Sequence, residues 1–183
     1  MIDYLLTLNN VDRRDIGLIA VGSGPGSFTG IRIGIATARG LARAIGCPLM
    51  GISTLDALAY GALPAQLPIM PVIDARKSEI YCALYAPDGS LTTSYMNVHP
   101  HEVKKFVQED TLFIGNGIDL YEDILASSLG DRFRKGPQTL WAPRASVIGM
   151  MALGQGMQGH PAVVNPIYVR PSDATLLLQR KKG

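Results

Sequence analysis

The stretch that most constrains the fold of this chain is a glycine-rich turn at residues 24–30, Gly-Pro-Gly-Ser-Phe-Thr-Gly. An apolar segment, Leu18 to Val21, precedes it, and an apolar run rich in alanine and glycine follows from Ile31. Glycine permits the backbone conformations that a sharp reversal requires, and Ser27 or Thr29 can cap the first free amides of a helix. The pattern predicts a strand over residues 17–22, a turn, and a helix over residues 28–45.

The same turn is a candidate anion site, because unpaired amides at a helix N-terminus carry partial positive charge. The P-loop pattern is absent, since its lysine is missing and Ile31 stands near where a cation would be needed. The dinucleotide pattern has Ser27 at its third glycine position. Two interpretations stay open, namely an anion site and a tight turn that only packs a helix on a sheet. The candidate binding residues are Gly24, Gly26, Ser27, Thr29 and Gly30.

The predicted helix has an unusual distribution of side chains. At the helical period, Arg32, Arg39 and Arg43 share one stripe, and nearly all the remaining circumference is apolar. A helix that covers one face of a sheet needs a single apolar stripe. We therefore expect this helix to be buried on two sides, by its own sheet and by either another helix of the chain or a partner protein.

Composition limits the classes of function. The chain has 183 residues, of which 47% are hydrophobic, enough for one globular domain or two small lobes. The 17 basic and 15 acidic residues give a formal net charge of +2, too little to indicate nucleic-acid binding by the chain alone. The one basic cluster, Arg180-Lys181-Lys182, is either a solvated tail or a nucleic-acid contact.

Neither an export signal nor a stretch long enough to span a bilayer is recognisable, so we expect a cytoplasmic protein that does not contact a membrane. Cys47 and Cys82 have apolar neighbours, which favours buried packing residues over a redox pair.

Short apolar runs and helical segments alternate along the chain, which predicts a mixed-sheet α/β fold. A proline-marked link at residues 62–68 predicts two lobes, residues 1–62 and 63–183. Ser53 and Asp56 form a plausible capping box. The predicted helices are 2–8, 28–45, 53–60, 101–108, 120–128 and 144–153; the strands are 17–22, 48–52, an antiparallel meander of 70–73, 79–85 and 91–98, and 112–114.

The chain offers few chemical groups for catalysis. His99, His101 and His160 lack the spacing of zinc ligands, and no serine-nucleophile motif is complete, so we expect neither a metal nor a cofactor. Asp74, at the end of an apolar strand, is the best-placed carboxylate. It can orient a metal-bound water or a nucleotide's magnesium, or it can pair with Arg76 or Lys77 and stabilise a hairpin.

Four motifs carry a resemblance to the TsaB (YeaZ) family, and their order and spacing agree over essentially the whole chain. They are the segment from Val21 to Gly34, Gly51-Ile52-Ser53-Thr54-Leu55, Asp74-Ala75-Arg76 with Glu79-Ile80-Tyr81, and Pro166-Ile167-Tyr168-Val169-Arg170-Pro171.

The resemblance implies the two-lobed actin-like ATPase fold, with mixed sheets of ribonuclease-H-like topology in each lobe. Family members are noncatalytic partners of TsaD, which transfers a threonylcarbamoyl group from its adenylate to the adenosine beside the anticodon of tRNAs that read codons beginning with A. TsaE, an ATPase, completes the complex. TsaD-like relatives carry a metal-binding His-x-x-x-His, and this chain has none. The resemblance therefore implies an accessory subunit without its own activity, which meets tRNA only indirectly.

The chain departs from the family pattern at its start. Met1 to Leu6 resemble the later part of the family's first helix, so we expect an N-terminally incomplete first lobe that lacks one phosphate-binding turn of the ATPase fold.

We expect heterodimerisation with TsaD, or homodimerisation when the chain is alone, through helical surfaces. A nucleotide-dependent enzyme using the 24–30 turn and Asp74, and a glycoprotease-like peptidase, are the alternatives. The expected interface residues are Tyr4, Leu5 and Leu8 of the first helix and Ile31, Gly34, Ile35, Ala38 and Ala42 of the long one.

Overall fold

A computed structural model describes residues 2–156 and 163–170. The α-helices are α1 (Ile2–Leu8), α2 (Phe28–Ile45), α3 (Thr54–Tyr60), α4 (Gly117–Leu129) and α5 (Ala145–Gly154). The strands are β1 (Ile19–Gly24), β2 (Leu49–Ser53), β3 (Ile69–Arg76), β4 (Glu79–Cys82), β5 (Met96–Val98), β6 (Thr111–Ile114) and β7 (Phe133–Lys135). Short 3₁₀ helices cover Arg13–Asp15, Pro100–Lys105, Gly130–Arg132 and Gln138–Leu140.

The first sheet is a parallel pair, β1 and β2, connected by α2. Parallel strands require a crossover connection, and α2 supplies it. The helix begins after Ser27 and ends at Gly46, whose φ of 82° lies in the left-handed region that favours glycine. The predicted helix over residues 28–45 is confirmed.

The two faces of this strand pair are covered by different helices. Ile19 and Val21 of β1 pack with α2, whereas Ala20 packs with α5. Successive side chains of a strand point to opposite faces, so the pair lies between the two helices. Helix α5 therefore covers the sheet and leaves the second side of α2 without cover from the described residues.

The second sheet has five strands in the order β5-β4-β3-β6-β7. Strand β3 pairs antiparallel with β4 and parallel with β6, which makes this a mixed sheet, as predicted. The antiparallel meander is confirmed, but β4 and β5 are shorter than predicted. The amide of Leu84 donates to the Thr93 hydroxyl (2.9 Å), so a side chain replaces the strand neighbour and the ladder is interrupted.

Helix α3 connects the two sheets. Its Leu55 and Leu58 are buried with Ile69 and Ile114 of the second sheet, and the Ser53 hydroxyl caps it by accepting from the Asp56 amide (3.3 Å). The Asp56 carboxylate, predicted to complete a capping box with Ser53, instead accepts from two tyrosine hydroxyls, Tyr85 (2.6 Å) and Tyr95 (2.7 Å). These bonds join the start of α3 to the meander.

The α-helix predicted over residues 101–108 is wrong. The segment is the 3₁₀ helix Pro100–Lys105, in which the Phe106 amide donates to the Val103 carbonyl three residues earlier. It ends at Lys105, and beyond it the Val107 carbonyl accepts from the Arg132 guanidinium (2.6 Å). The tighter turn still buries Val103 and Val107 against α4.

The two sheets lie on either side of the predicted link at residues 62–68, and the division into two lobes stays a prediction. Three features of the sequence lie outside the described residues: His160, the Arg180-Lys181-Lys182 cluster, and Pro171, which ends the final family motif. In the described part, no helix is both long and apolar enough to cross a membrane.

The Asp56 cluster predicts loss of stability at alkaline pH. Burial raises the pKa of Tyr95 to about 12; a hydrogen bond with Ser53 acts against this rise, and the Asp56 carboxylate adds to it. Burial also raises the pKa of Tyr85. The native state then holds protons that the unfolded chain releases above pH 10.0, the ordinary value for tyrosine. We expect the contribution of these tyrosines to the free energy of unfolding to be constant below that pH and to fall as pH rises towards about 12.

Urea unfolding at several alkaline pH values measures this slope. Tyr95→Phe should flatten it and should cost about 1 kcal/mol at pH 8 through the lost hydrogen bond. Tyr4→Phe, at an exposed position, is the control and should change neither quantity. The buried Cys82 thiol, whose pKa burial raises to about 12, acts in the same direction in all three proteins. An unchanged slope in Tyr95→Phe would contradict the assignment.

Candidate functional site

The turn between β1 and α2 is held by a close approach of backbones. Gly24 has a φ of 106°, and a Cβ there would lie 2.8 Å from the Ile167 carbonyl oxygen. The Ile167 amide donates to the Ser23 carbonyl at 2.7 Å, which seats the 163–170 segment against the turn. Gly24 therefore serves packing.

Ser27, rather than Thr29, is the N-cap of α2. Its hydroxyl accepts from the Gly30 amide (3.3 Å), and its carbonyl accepts from the Ile31 amide (2.9 Å). The Thr29 side chain is exposed to solvent. The cap uses one of the amides on which an anion site depends, and the predicted anion site stays a prediction.

A cleft of about 350 Å³ opens beside this turn, between the first sheet, α3 and the end of the second sheet. Of the predicted binding residues, Gly26, Ser27 and Gly30 line it, and Gly24, Thr29 and Asp74 do not. The lining also includes Thr54, Asn116, Trp141 and Pro143, which sequence reasoning missed. The described residues that line the cleft offer hydrogen bonds and apolar contact, and none of their side chains is ionisable.

Asn116 was in principle detectable, since it follows a strand end, where ligand-binding residues of α/β folds commonly lie. Trp141 reaches the cleft from a loop beyond β7, and no local pattern in the sequence indicates that position.

Asp74 stabilises the β3–β4 hairpin, as the second interpretation of this residue predicts. Its side chain is 8% exposed and pairs with the Arg76 guanidinium (3.4 Å). One carboxylate oxygen accepts from the Arg76 amide (2.8 Å) and the Tyr121 hydroxyl (3.1 Å). Burial and the Asp74 carboxylate raise the pKa of Tyr121. Within the described residues, no group of three His, Cys, Asp or Glu side chains can hold a metal.

The predicted interface face of α2 requires correction. Ile35, Ala38 and Ala42 are buried in the core with Cys47 and Leu49 of the same chain. The two remaining members are also on this side: Ile31 packs against that core, and a Cβ at Gly34 would meet the Val21 side chain at 3.9 Å. All five residues face the β1–β2 pair, because the sheet selects one stripe of a helix that is apolar nearly all round.

The exposed side of α2 is the opposite one. We call it the outer face, and it comprises Ile33, Ala36, Gly40 and Ala44, which recur at helical spacing. Ile33 is 61% exposed, and a Cβ at Gly40 would meet nothing within 4 Å. Helix α2 therefore has an exposed apolar surface of the kind expected for a second contact. This surface is the outer face, opposite the residues that the sequence predicts at the interface.

Helix α1 is exposed except at the half-buried Leu6, and its role at an interface stays a prediction. It contains no buried residue, and Tyr4, Leu5 and Leu8 are 68%, 50% and 63% exposed.

The 163–170 segment also orders the start of α2. The Tyr168 ring stacks on Phe28 with centroids 4.8 Å apart, and its hydroxyl accepts from the Arg32 guanidinium (2.8 Å). Arg170 of the same segment pairs with Glu79 (3.0 Å). Three of the motifs that carry the family resemblance thus touch in space, because the last motif contacts both the segment from Val21 to Gly34 and the motif that contains Glu79.

Comparison with known proteins finds a matching family model and several relatives that align over most of the chain. The family model described as TsaD, tRNA N6-adenosine threonylcarbamoyltransferase, matches residues 1–155. The tRNA threonylcarbamoyladenosine biosynthesis protein TsaB of Escherichia coli is 32% identical over 194 aligned residues, covering 100% of this chain and 83% of that protein. TsaB of Bacillus subtilis is 29% identical, covering 91% and 76%.

Solved structures agree. YeaZ from Pseudomonas aeruginosa aligns with a TM-score of 0.74 at 27% identity, covering 92% of this chain and 81% of that one. A second Pseudomonas aeruginosa structure, described as similar to the peptidase YeaZ, aligns with a TM-score of 0.73 at 28% identity and covers 93% and 81%.

The two faces of α2 are distinguished by a paired substitution. Ala38→Glu places a carboxylate in the core at a position that is 7% exposed, and should lower the free energy of unfolding by more than about 3 kcal/mol. Ile33→Glu on the outer face should change it by less than about 0.5 kcal/mol. Urea unfolding followed by circular dichroism measures both. Equal stability of the two variants would show that the assignment of faces is wrong.

Proposed function

Because this chain belongs to the TsaB (YeaZ) family of tRNA threonylcarbamoyladenosine biosynthesis proteins, we propose that it serves that pathway as a noncatalytic scaffold that pairs with TsaD and works with TsaE. The fold is the actin-like α/β fold of that family. In this proposal TsaD carries out catalysis, and this chain contacts tRNA only indirectly, as part of the assembled complex.

The observation that carries the proposal is the outer face of α2. A helix on the surface of a monomer normally exposes only a charged or polar side, whereas this one exposes an apolar strip, Ile33 with Ala36 and Gly40, beside its arginines. Small residues permit a second helix to approach closely, and apolar burial contributes about 25 cal/mol per Å². The exposed Leu5 and Leu8 of α1 add apolar surface of the same kind.

Pairing of two copies through the same face is the state proposed for the chain when TsaD is absent. The outer face is then an exchangeable contact, and TsaD competes with a second copy for it.

Nucleotide-dependent catalysis is the second candidate, and the cleft beside the N-terminus of α2 is the observation that favours it. It requires cationic or metal-binding groups close to the phosphates, and the residues that line the cleft supply none. We therefore rank it below the scaffold.

Reconstitution tests the scaffold proposal directly. A mixture of TsaD, TsaE, threonylcarbamoyl adenylate and tRNA from the same organism should form the modified nucleoside only when this chain is added, measured by mass spectrometry of digested tRNA. Asp74→Asn should support formation at nearly the unmodified rate, because Asp74 serves the hairpin. ATP hydrolysis by the chain alone, lost in Asp74→Asn, would instead support the enzyme.

Glycine at position 40 provides a second test, since it separates stability from pairing. Gly40→Ala should stabilise the free protein by about 0.5–1 kcal/mol, because a helix-interior glycine is unfavourable and the added methyl meets no neighbour. The same methyl should weaken TsaD binding roughly tenfold if α2 is the close-contact helix.

The control is Gly149→Ala in α5, where an added Cβ also meets nothing within 4 Å. It should stabilise the protein equally and leave TsaD binding unchanged. Calorimetric titration with TsaD and urea unfolding give the two quantities. Equal TsaD affinity for both variants would remove α2 from the interface.

A further inference from the structure

One border of the outer face of α2 is a row of positive charge. Arg32, Arg39 and Arg43 are all exposed, and we call them the arginine ridge. At about 1.5 Å rise and 100° per residue, the three lie within roughly 40° of one another and span about 16 Å of the helix. Helix α2 contains no acidic residue.

Two of the three charges of the ridge, those of Arg32 and Arg39, are held in position without being neutralised. The Arg32 guanidinium lies 3.8 Å from the Phe28 ring centroid and donates to the Tyr168 hydroxyl, and Arg39 donates to the Val164 carbonyl (3.0 Å). These partners are uncharged. Among the described residues, no carboxylate forms an ion pair with any arginine of the ridge.

Arginines elsewhere in the chain are commonly paired. Those that form ion pairs with Asp or Glu are Arg13, Arg14, Arg76, Arg134 and Arg170. The ridge concentrates uncompensated charge on a helix that also exposes an apolar face.

We propose that the arginine ridge selects a partner whose facing helix carries a row of carboxylates along the matching border, and that it weakens pairing with a second copy of this chain. This inference rests on the proposed function, in which that partner is TsaD. Apolar burial on the outer face supplies affinity, and the ridge supplies specificity through complementary charge.

Symmetry explains why antiparallel self-pairing is penalised. In an antiparallel pair of α2 helices related by a two-fold axis perpendicular to them, each ridge lies at the same border as its copy, so like charges face one another. A parallel two-fold pair places the ridges on opposite borders. Repulsion therefore opposes the antiparallel pair, and salt relieves it, because the Debye length falls from about 10 Å at 0.1 M to about 3 Å at 1 M.

An RNA backbone is the other polyanion that a ridge of arginines fits. Phosphate contacts would engage Arg32, Arg39 and Arg43 but would leave the neighbouring Ile33 exposed. A protein helix covers the apolar face and the charged border together, so the geometry favours a protein partner.

Arg43→Glu is the variant that tests the ridge, because it leaves the bonds of Arg32 and Arg39 to the 163–170 segment in place. Lys104→Glu is the matched control, since it makes the same charge change at an exposed position beside α4. We would measure TsaD affinity by calorimetry, and self-association by sedimentation, at about 0.05 M and 0.5 M salt.

Arg43→Glu should weaken TsaD binding about tenfold at low salt and less at high salt, and should strengthen self-association. Lys104→Glu should change neither affinity, and the unmodified chain should self-associate more tightly at high salt. Equal TsaD affinity for Arg43→Glu and the unmodified chain would overturn the inference.

If that unchanged affinity came with weaker tRNA binding by the preformed complex, the ridge would be an RNA contact instead, which also overturns the inference. Failure of the unmodified chain to bind TsaD at either salt concentration would overturn the proposed function itself.

Discussion

Helix α2 meets the β1–β2 pair through Ile35, Ala38 and Ala42, and this contact determines what the rest of the molecule can present to solvent. Two small side chains let the helix lie close to the sheet, and the stripe that they occupy turns Ile33, Ala36 and Gly40 outward. Because α5 occupies the other face of the same two strands, nothing in the described residues covers that outward side. An interior contact thus creates the surface on which the proposed function depends.

The 163–170 segment, far away in the sequence, holds the start of this helix in place. Its Ile167 amide bonds to Ser23 at the end of β1, and the absence of a side chain at Gly24 permits the approach. One residue further on, Tyr168 fixes Arg32. The glycine-rich turn is therefore shaped by contacts with this segment as well as by the helix that it caps, which explains in physical terms a motif that lacks the lysine and the third glycine of phosphate-binding loops.

Features of the fold that depend on residues close together in the sequence were predictable. Ser27 and Gly46 mark both ends of α2, and Asp74 and Arg76 are two residues apart, so the helix and the hairpin interaction followed from neighbours in sequence. The buried side of α2 did not, because alanine, glycine and isoleucine surround the helix and no periodicity separates its faces. Trp141 was missed for another reason: it gains its position beside the cleft from residues distant in the chain, and such contacts leave no local pattern. The contact of Tyr168 with Arg32 joins residues equally far apart in sequence.

The net charge of the whole chain gives no sign of the arginine ridge on α2. The helix carries three arginines and no acidic residue, so its charge exceeds the formal +2 of the whole chain, and the remaining residues are together slightly acidic. A near-neutral total describes solubility and long-range steering, whereas recognition at a few ångströms depends on which charges share a face. Tyr168 and Val164 hold Arg32 and Arg39 in fixed positions before any partner binds. This lowers the entropic cost of ordering these side chains at an interface. The segment that shapes the turn thus also prepares the charged border of the outer face.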